Sequence, residues 1–72
     1  MSHKLVKSLL VSKVVGLIMQ EYKVSQDKAL DMFYTSSVAT YLNDDETGLY
    51  GQSALYIFSV FSEELKLANR QN

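Results

Sequence analysis

From Lys4 to Tyr22 the chain places apolar residues on almost every side of a helical wheel: Leu5, Val6, Leu9, Leu10, Val11, Val14, Val15, Leu17, Ile18 and Met19. No other feature constrains the fold as much. A segment that is apolar all round is not satisfied by burying one face, so it belongs at the centre of its domain or in an interface. Val6, Val11, Val14, Val15 and Ile18 are β-branched, which lowers helix propensity and makes a strand the runner-up. Length favours the helix, because strands rarely exceed about ten residues. Ser8, Ser12 and Gly16 fall at i, i+4 and i+8. This narrow stripe either admits a second backbone or sits on a solvated face beside Lys4.

The helix has little chain around it. At 72 residues and 8.2 kDa the protein is expected to be one domain. Such a domain buries roughly 7,000 Å², and with about 60% of that apolar the burial contributes roughly 100 kcal/mol. Ordering the chain at about 1.5 kcal/mol per residue costs about the same. There is no cysteine for a disulfide and no Cys/His cluster for a structural metal. Association with a second copy, as a homodimer, is the expected remaining source of stability.

With 47% hydrophobic and 21% charged residues, the composition is that of a folded domain rather than a disordered tail. The apolar run Leu5 to Met19 is broken by Lys7 and Lys13. It falls short of the roughly 20 residues that span a bilayer, so no membrane association is expected. Lys13 also interrupts the only candidate core of a secretory signal. Together with the missing cysteines this points to the cytoplasm.

Past Tyr22 the pattern sharpens. Ser25 is a good N-cap and Asp27 adds negative charge to the first turn, so a second helix is expected from Gln26 to about Thr35, burying Ala29, Leu30, Phe33 and Tyr34. Val38 to Leu42 reads as a short helix capped by Ser37, with an extended segment as the alternative. Asn43 to Gly48 is a run of turn-forming and polar residues. Ala54, Ile57, Phe58, Phe61, Leu65 and Ala68 then keep a helical period, predicting a helix from Ser53 to about Leu67. The fold class expected is all-α: a small bundle of three main helices plus one short helix.

Motifs that could carry chemistry have simpler readings. Ser25-Gln26-Asp27-Lys28 matches the S-x-x-K spacing of serine nucleophiles, but its partner motifs are absent and Ser25 already serves as a cap. Asn43-x-Asp45-x-Thr47-Gly48 imitates the start of a calcium loop, yet the twelfth position, where a bidentate Glu is needed, is Ala54. Glu63 and Glu64 are neighbours, about 100° apart on a helix, and diverge too far to act as a pair. His3 is the lone histidine and lies near the terminus, where chains tend to be mobile. No catalytic residue, cofactor or metal is therefore assigned, and an enzyme is not expected.

The strongest compositional signal is electrostatic. From Ala29 to Leu65 there is no Lys or Arg, while Asp31, Asp44, Asp45, Glu46, Glu63 and Glu64 are all present. Seven of the eight aromatics lie in this base-free stretch, so the interleaving of bases and aromatics that single-strand binders use is missing. Nucleic acid is an unlikely partner, although a face with Lys4, Lys7 and Lys13 keeps a small DNA-binding regulator as an alternative. Phe33, Phe58 and Phe61 read as core. Tyr34, Tyr41, Tyr50 and Tyr56, edged by Asp44, Asp45 and Glu46, read as a partner-binding surface for a protein with a basic patch. The competing reading is that the tyrosines only seal the rim of a small core.

Ala29-Leu30-x-x-Phe33-Tyr34-x-Ser36, then Tyr41-Leu42, then Thr47-Gly48-Leu49-Tyr50-x-x-Ser53-x-x-Tyr56 resembles a family of short bacterial helical proteins of unknown function. The resemblance covers Val24 to Leu65. Members of such families are often encoded beside toxin-like or regulatory genes, which implies an accessory or antitoxin-like role and no catalytic residue. Where similar members place Pro after the serine, this chain has Ala54, losing a preorganised first turn but keeping the cap. The function expected is a non-catalytic protein-interaction module, homodimeric and serving as an antitoxin-like or regulatory partner, with an accessory subunit of a larger enzyme as a further alternative.

Overall fold

Burial decides between helix and strand in the opening segment. In the computed structural model, which describes residues 3–70, the chain begins with one continuous helix, α1 (His3–Tyr22), whose Val14, Val15 and Ile18 are buried. Packing outweighs the propensity cost of their branched side chains. Then come α2 (Gln26–Tyr34), α3 (Ser37–Asn43), two single 3-10 turns at Asp45–Thr47 and Leu49–Gly51, and α4 (Ala54–Arg70). No strand occurs among the described residues, so the all-α expectation holds.

Between α1 and α2 the chain reverses through Lys23, which adopts a left-handed φ of 57°. Ser25 then caps α2 as its sequence suggests, its Oγ accepting from the Lys28 amide at 3.2 Å. The helix stops at Tyr34, one residue earlier than expected. Thr35 leaves it, with its Oγ1 donating back to the Asp31 carbonyl at 2.8 Å.

The cap of α3 differs from the sequence expectation. Ser37 is the first helical residue rather than the cap, and Ser36, in the cap position, turns its hydroxyl back to the Phe33 carbonyl. Glu64 takes over the capping role from α4, its Oε2 accepting from the Ser37 amide at 2.9 Å. Helix is the outcome for Val38 to Leu42 because Val38, Ala39 and Leu42, at i, i+1 and i+4, all point inward and are buried.

Asn43 to Gly48 ends α3 by using its own polar groups. Asp44 accepts from the Glu46 amide at 3.0 Å, and Thr47 Oγ1 lies 2.9 Å from the Asp44 carbonyl while accepting from the Leu49 amide. Gly48 takes φ 68°, the left-handed conformation that joins the two 3-10 turns and disfavours any side chain. Ser53 caps α4 by accepting from the Tyr56 amide at 3.1 Å. The helix runs to Arg70, three residues past the expected end.

α1 packs along both α2 and α4, and α3 closes over the same two helices. The buried core comprises Val14, Val15, Ile18, Ala29, Phe33, Val38, Ala39, Leu42, Ile57 and Phe61. Phe33 and Phe61 meet at its centre with ring centroids 6.4 Å apart. Phe58, expected in the core, is half-buried at its margin. Tyr22 sits edge-on to Phe61 at 6.3 Å and spends its hydroxyl on Ser62 Oγ at 3.1 Å, which links the end of α1 to α4.

Candidate interaction surface

The seven residues assigned to a partner surface divide into two groups. Asp45 and Tyr50 are engaged within the chain. Lys7, reaching from α1, donates to Asp45 Oδ1 at 2.5 Å and to the Asn43 carbonyl at 3.2 Å. His3 Nδ1 lies 3.5 Å from Asp45 Oδ2, and the His3 ring stacks on Tyr50 with centroids 4.3 Å apart. The Lys7 ammonium also stands 5.8 Å from the Tyr50 ring centroid, within cation–π range. Hydrogen bonding from Lys7, with a smaller contribution from His3, holds the Asp45 carboxyl below its ordinary pKa. These contacts clasp the first turns of α1 onto the loop before α4. His3 and Lys7 went unassigned in the sequence to any such role, because nothing local indicates that a loop some forty residues away will meet them.

Asp44 is occupied in the turn, as described above, and Glu46 is exposed beside it. Tyr34, Tyr41 and Tyr56 stand out from α2, α3 and α4 and are about half exposed. The Tyr34 ring meets Phe33 edge-on at 5.4 Å and borders a groove with Lys4, Lys7, Ser8, Val11 and Asn43. Its neighbours on that side are therefore lysines rather than acids.

Leucines complete the exposed apolar surface, and sequence reading did not single them out. Leu5 and Leu9 on α1, and Leu55 and Leu67 on α4, each expose more than half of their area. A wheel drawn with Val14 and Ile18 inward puts Leu5 and Leu9 on the far side. That split was the available signal.

In the calcium-like run, Asp45 is paired with Lys7 and the Thr47 hydroxyl is turned to backbone carbonyls. Among the described residues, no group of three or more His, Cys, Asp or Glu is placed to hold a metal ion. Lys4 and Lys13, nine residues apart, point to opposite sides of α1, and Lys7 turns to Asp45, so the three form no continuous basic face. No helix among the described residues is long and apolar enough to cross a membrane. Comparison with protein-family models, with curated proteins and with solved structures finds no match.

Proposed function

We propose that this chain is a small helical bundle that works as a non-catalytic protein-interaction module, homodimeric, in the bacterial cytoplasm. The observation carrying this reading is the apolar surface left outside the core. Among the described residues, four leucines and three tyrosines lie half exposed or more, against ten buried hydrophobic residues. Leu5 and Leu9, one turn apart on the outer face of α1, are neighbours among them, and adjacent exposed apolar side chains are what an interaction surface needs. Glu46, Tyr41 and Tyr56 offer a polar-edged aromatic surface suited to a second protein with a basic patch. An antitoxin-like or regulatory role, which the resemblance of Val24 to Leu65 to short bacterial proteins implies, is part of the same reading.

Sedimentation equilibrium tests the homodimer directly. Between about 1 and about 500 μM, the range in which interfaces of modest area associate, the mass should rise from 8.2 kDa toward twice that value. A single 8.2 kDa species throughout would refute the reading.

A further inference from the structure

α1 has two faces with different fates. Val14, Val15 and Ile18 face the core. On the opposite side lie Leu5, Leu9, Ser12 and Gly16, at i, i+4, i+7 and i+11, all exposed, with Leu5 and Leu9 keeping 59% and 56% of their area accessible. Building on the self-association reading above, we propose that this outer face pairs with the same face of a second copy. The two α1 helices run antiparallel about an axis passing between Leu10 and Val11.

The order of side chains along the face selects a second copy and an orientation. Leu5 and Gly16 are equidistant from that axis, and so are Leu9 and Ser12. Antiparallel pairing therefore sets Leu5 against the partner's Gly16 and Leu9 against the partner's Ser12, large into small at every step. Parallel pairing would stack leucine on leucine and leave the Ser12 and Gly16 halves facing each other across a gap. An interface that repeats under a two-fold axis is the commonest form of homo-oligomer.

Gly16 supplies an independent reason. Its φ is not positive, and a Cβ built on it meets nothing within 4 Å, so neither backbone conformation nor packing inside one chain calls for glycine there. In a helix interior glycine is the poorest former after proline. Close approach of another backbone, bringing the axes to about 8 Å, is what its missing side chain permits.

About the axis between Leu10 and Val11, residues 3–18 of the two helices overlap, about 24 Å of helix. At a width of about 15 Å the two faces together bury on the order of 700 Å², the size of a weak, concentration-dependent contact rather than a permanent dimer.

The test combines sedimentation with cysteine cross-linking, in a chain that has no cysteine of its own. Gly16→Leu fills the recess and Leu9→Lys charges the seam; each should raise the dimer dissociation constant at least about tenfold. Both should keep their helical circular dichroism, since these positions touch no core residue. Leu67→Lys on α4 should leave the constant unchanged. Under mild oxidation the double variant Leu5→Cys/Gly16→Cys should form covalent dimers, and Gly16→Cys alone should not, because antiparallel pairing separates its two copies by about 16 Å. Ready bridging of Gly16→Cys alone would overturn the antiparallel arrangement. A dimer untouched by the α1 variants but broken by Leu67→Lys would overturn the choice of face while leaving self-association standing. A wild-type chain that never dimerises would remove both.

Discussion

Removing the Glu64 carboxylate isolates a long-range cap, in which a side chain of α4 serves the start of α3. Glu64→Ala deletes the acceptor of the Ser37 amide, and the Ser36 side chain, whose hydroxyl donates to the Phe33 carbonyl, makes no cap hydrogen bond in its place. Loss of an N-cap interaction costs about 1 kcal/mol, and loss of negative charge at a helix start adds about 0.3–1 kcal/mol. The amide is solvent-accessible once uncapped, so water recovers part of its hydrogen bond and the total stays near 1 kcal/mol. A domain of this size unfolds with an entropy near 0.15 kcal/mol per kelvin, so the melting temperature should fall by about 5–8 °C. Glu64→Gln keeps an acceptor oxygen and the aliphatic stem, and should recover half or more of the loss. Glu63→Ala, one position away and exposed, serves as the control and should change stability by less than about 0.5 kcal/mol. Thermal circular dichroism at one fixed protein concentration gives the melting temperature, and amide hydrogen exchange at Ser37 reports the cap itself. If Glu64→Ala and Glu63→Ala melt together and the Ser37 amide exchanges at the wild-type rate, α3 does not depend on α4 for its start.

Lys23→Gly should raise stability by about 0.5–1 kcal/mol in chemical denaturation, because a left-handed φ of 57° costs a side-chain-bearing residue what glycine does not pay. Tyr22→Phe should lower stability by about 0.5–1.5 kcal/mol through loss of the bond to Ser62; in a double-mutant cycle with Ser62→Ala, the second substitution should cost little once the first is made. The clasp on α1 should respond to acid. Because the Asp45 carboxyl is held below its ordinary value, its contribution is complete above about pH 4 and is lost as pH falls through the lowered native value. NMR titration of Asp45 should show that lowered midpoint, and Lys7→Met should move it back up.

Where the information was local, the helix starts were readable to within a residue or so. Ser25 and Ser53 cap the helices they precede, and the apolar period of α4 identified Ile57 and Phe61, both buried. Where partners are distant in the chain, the contacts were not. Ser37 looked like a cap because serine before an apolar run usually is one, but the carboxylate that does the capping is 27 residues further on. Asp45 and Tyr50 belong to a base-free stretch, so the sequence shows no cation beside them, and Asp45 keeps 58% of its side chain exposed even when paired. Lys7 and His3 reach them only after α1 docks. Phe58 shared its period with Ile57 and Phe61 yet lies at the core margin, because a helical face wider than the surface covering it leaves its edge residues half-buried.

The all-round apolarity of α1 joins these observations to the proposed dimer. A helix serving one core needs a single inward stripe, and Val14, Val15 and Ile18 supply it. Leu5 and Leu9 are then surplus to the monomer, and Gly16 costs it about 1 kcal/mol relative to alanine. Both features are liabilities in one copy and become consistent when two copies pair, large residues into small recesses. Since the two faces share one helix, melting α1 undoes the core and the pairing together, and folding is linked to protein concentration. The denaturation midpoint of the wild-type chain should therefore rise with concentration across the micromolar range. For Gly16→Leu it should be flat, and at the lowest concentration it should lie above the wild-type value, because the monomer then gains helix propensity with no dimer to lose. A Gly16→Leu midpoint below wild type at every concentration would mean that the glycine serves the single chain after all.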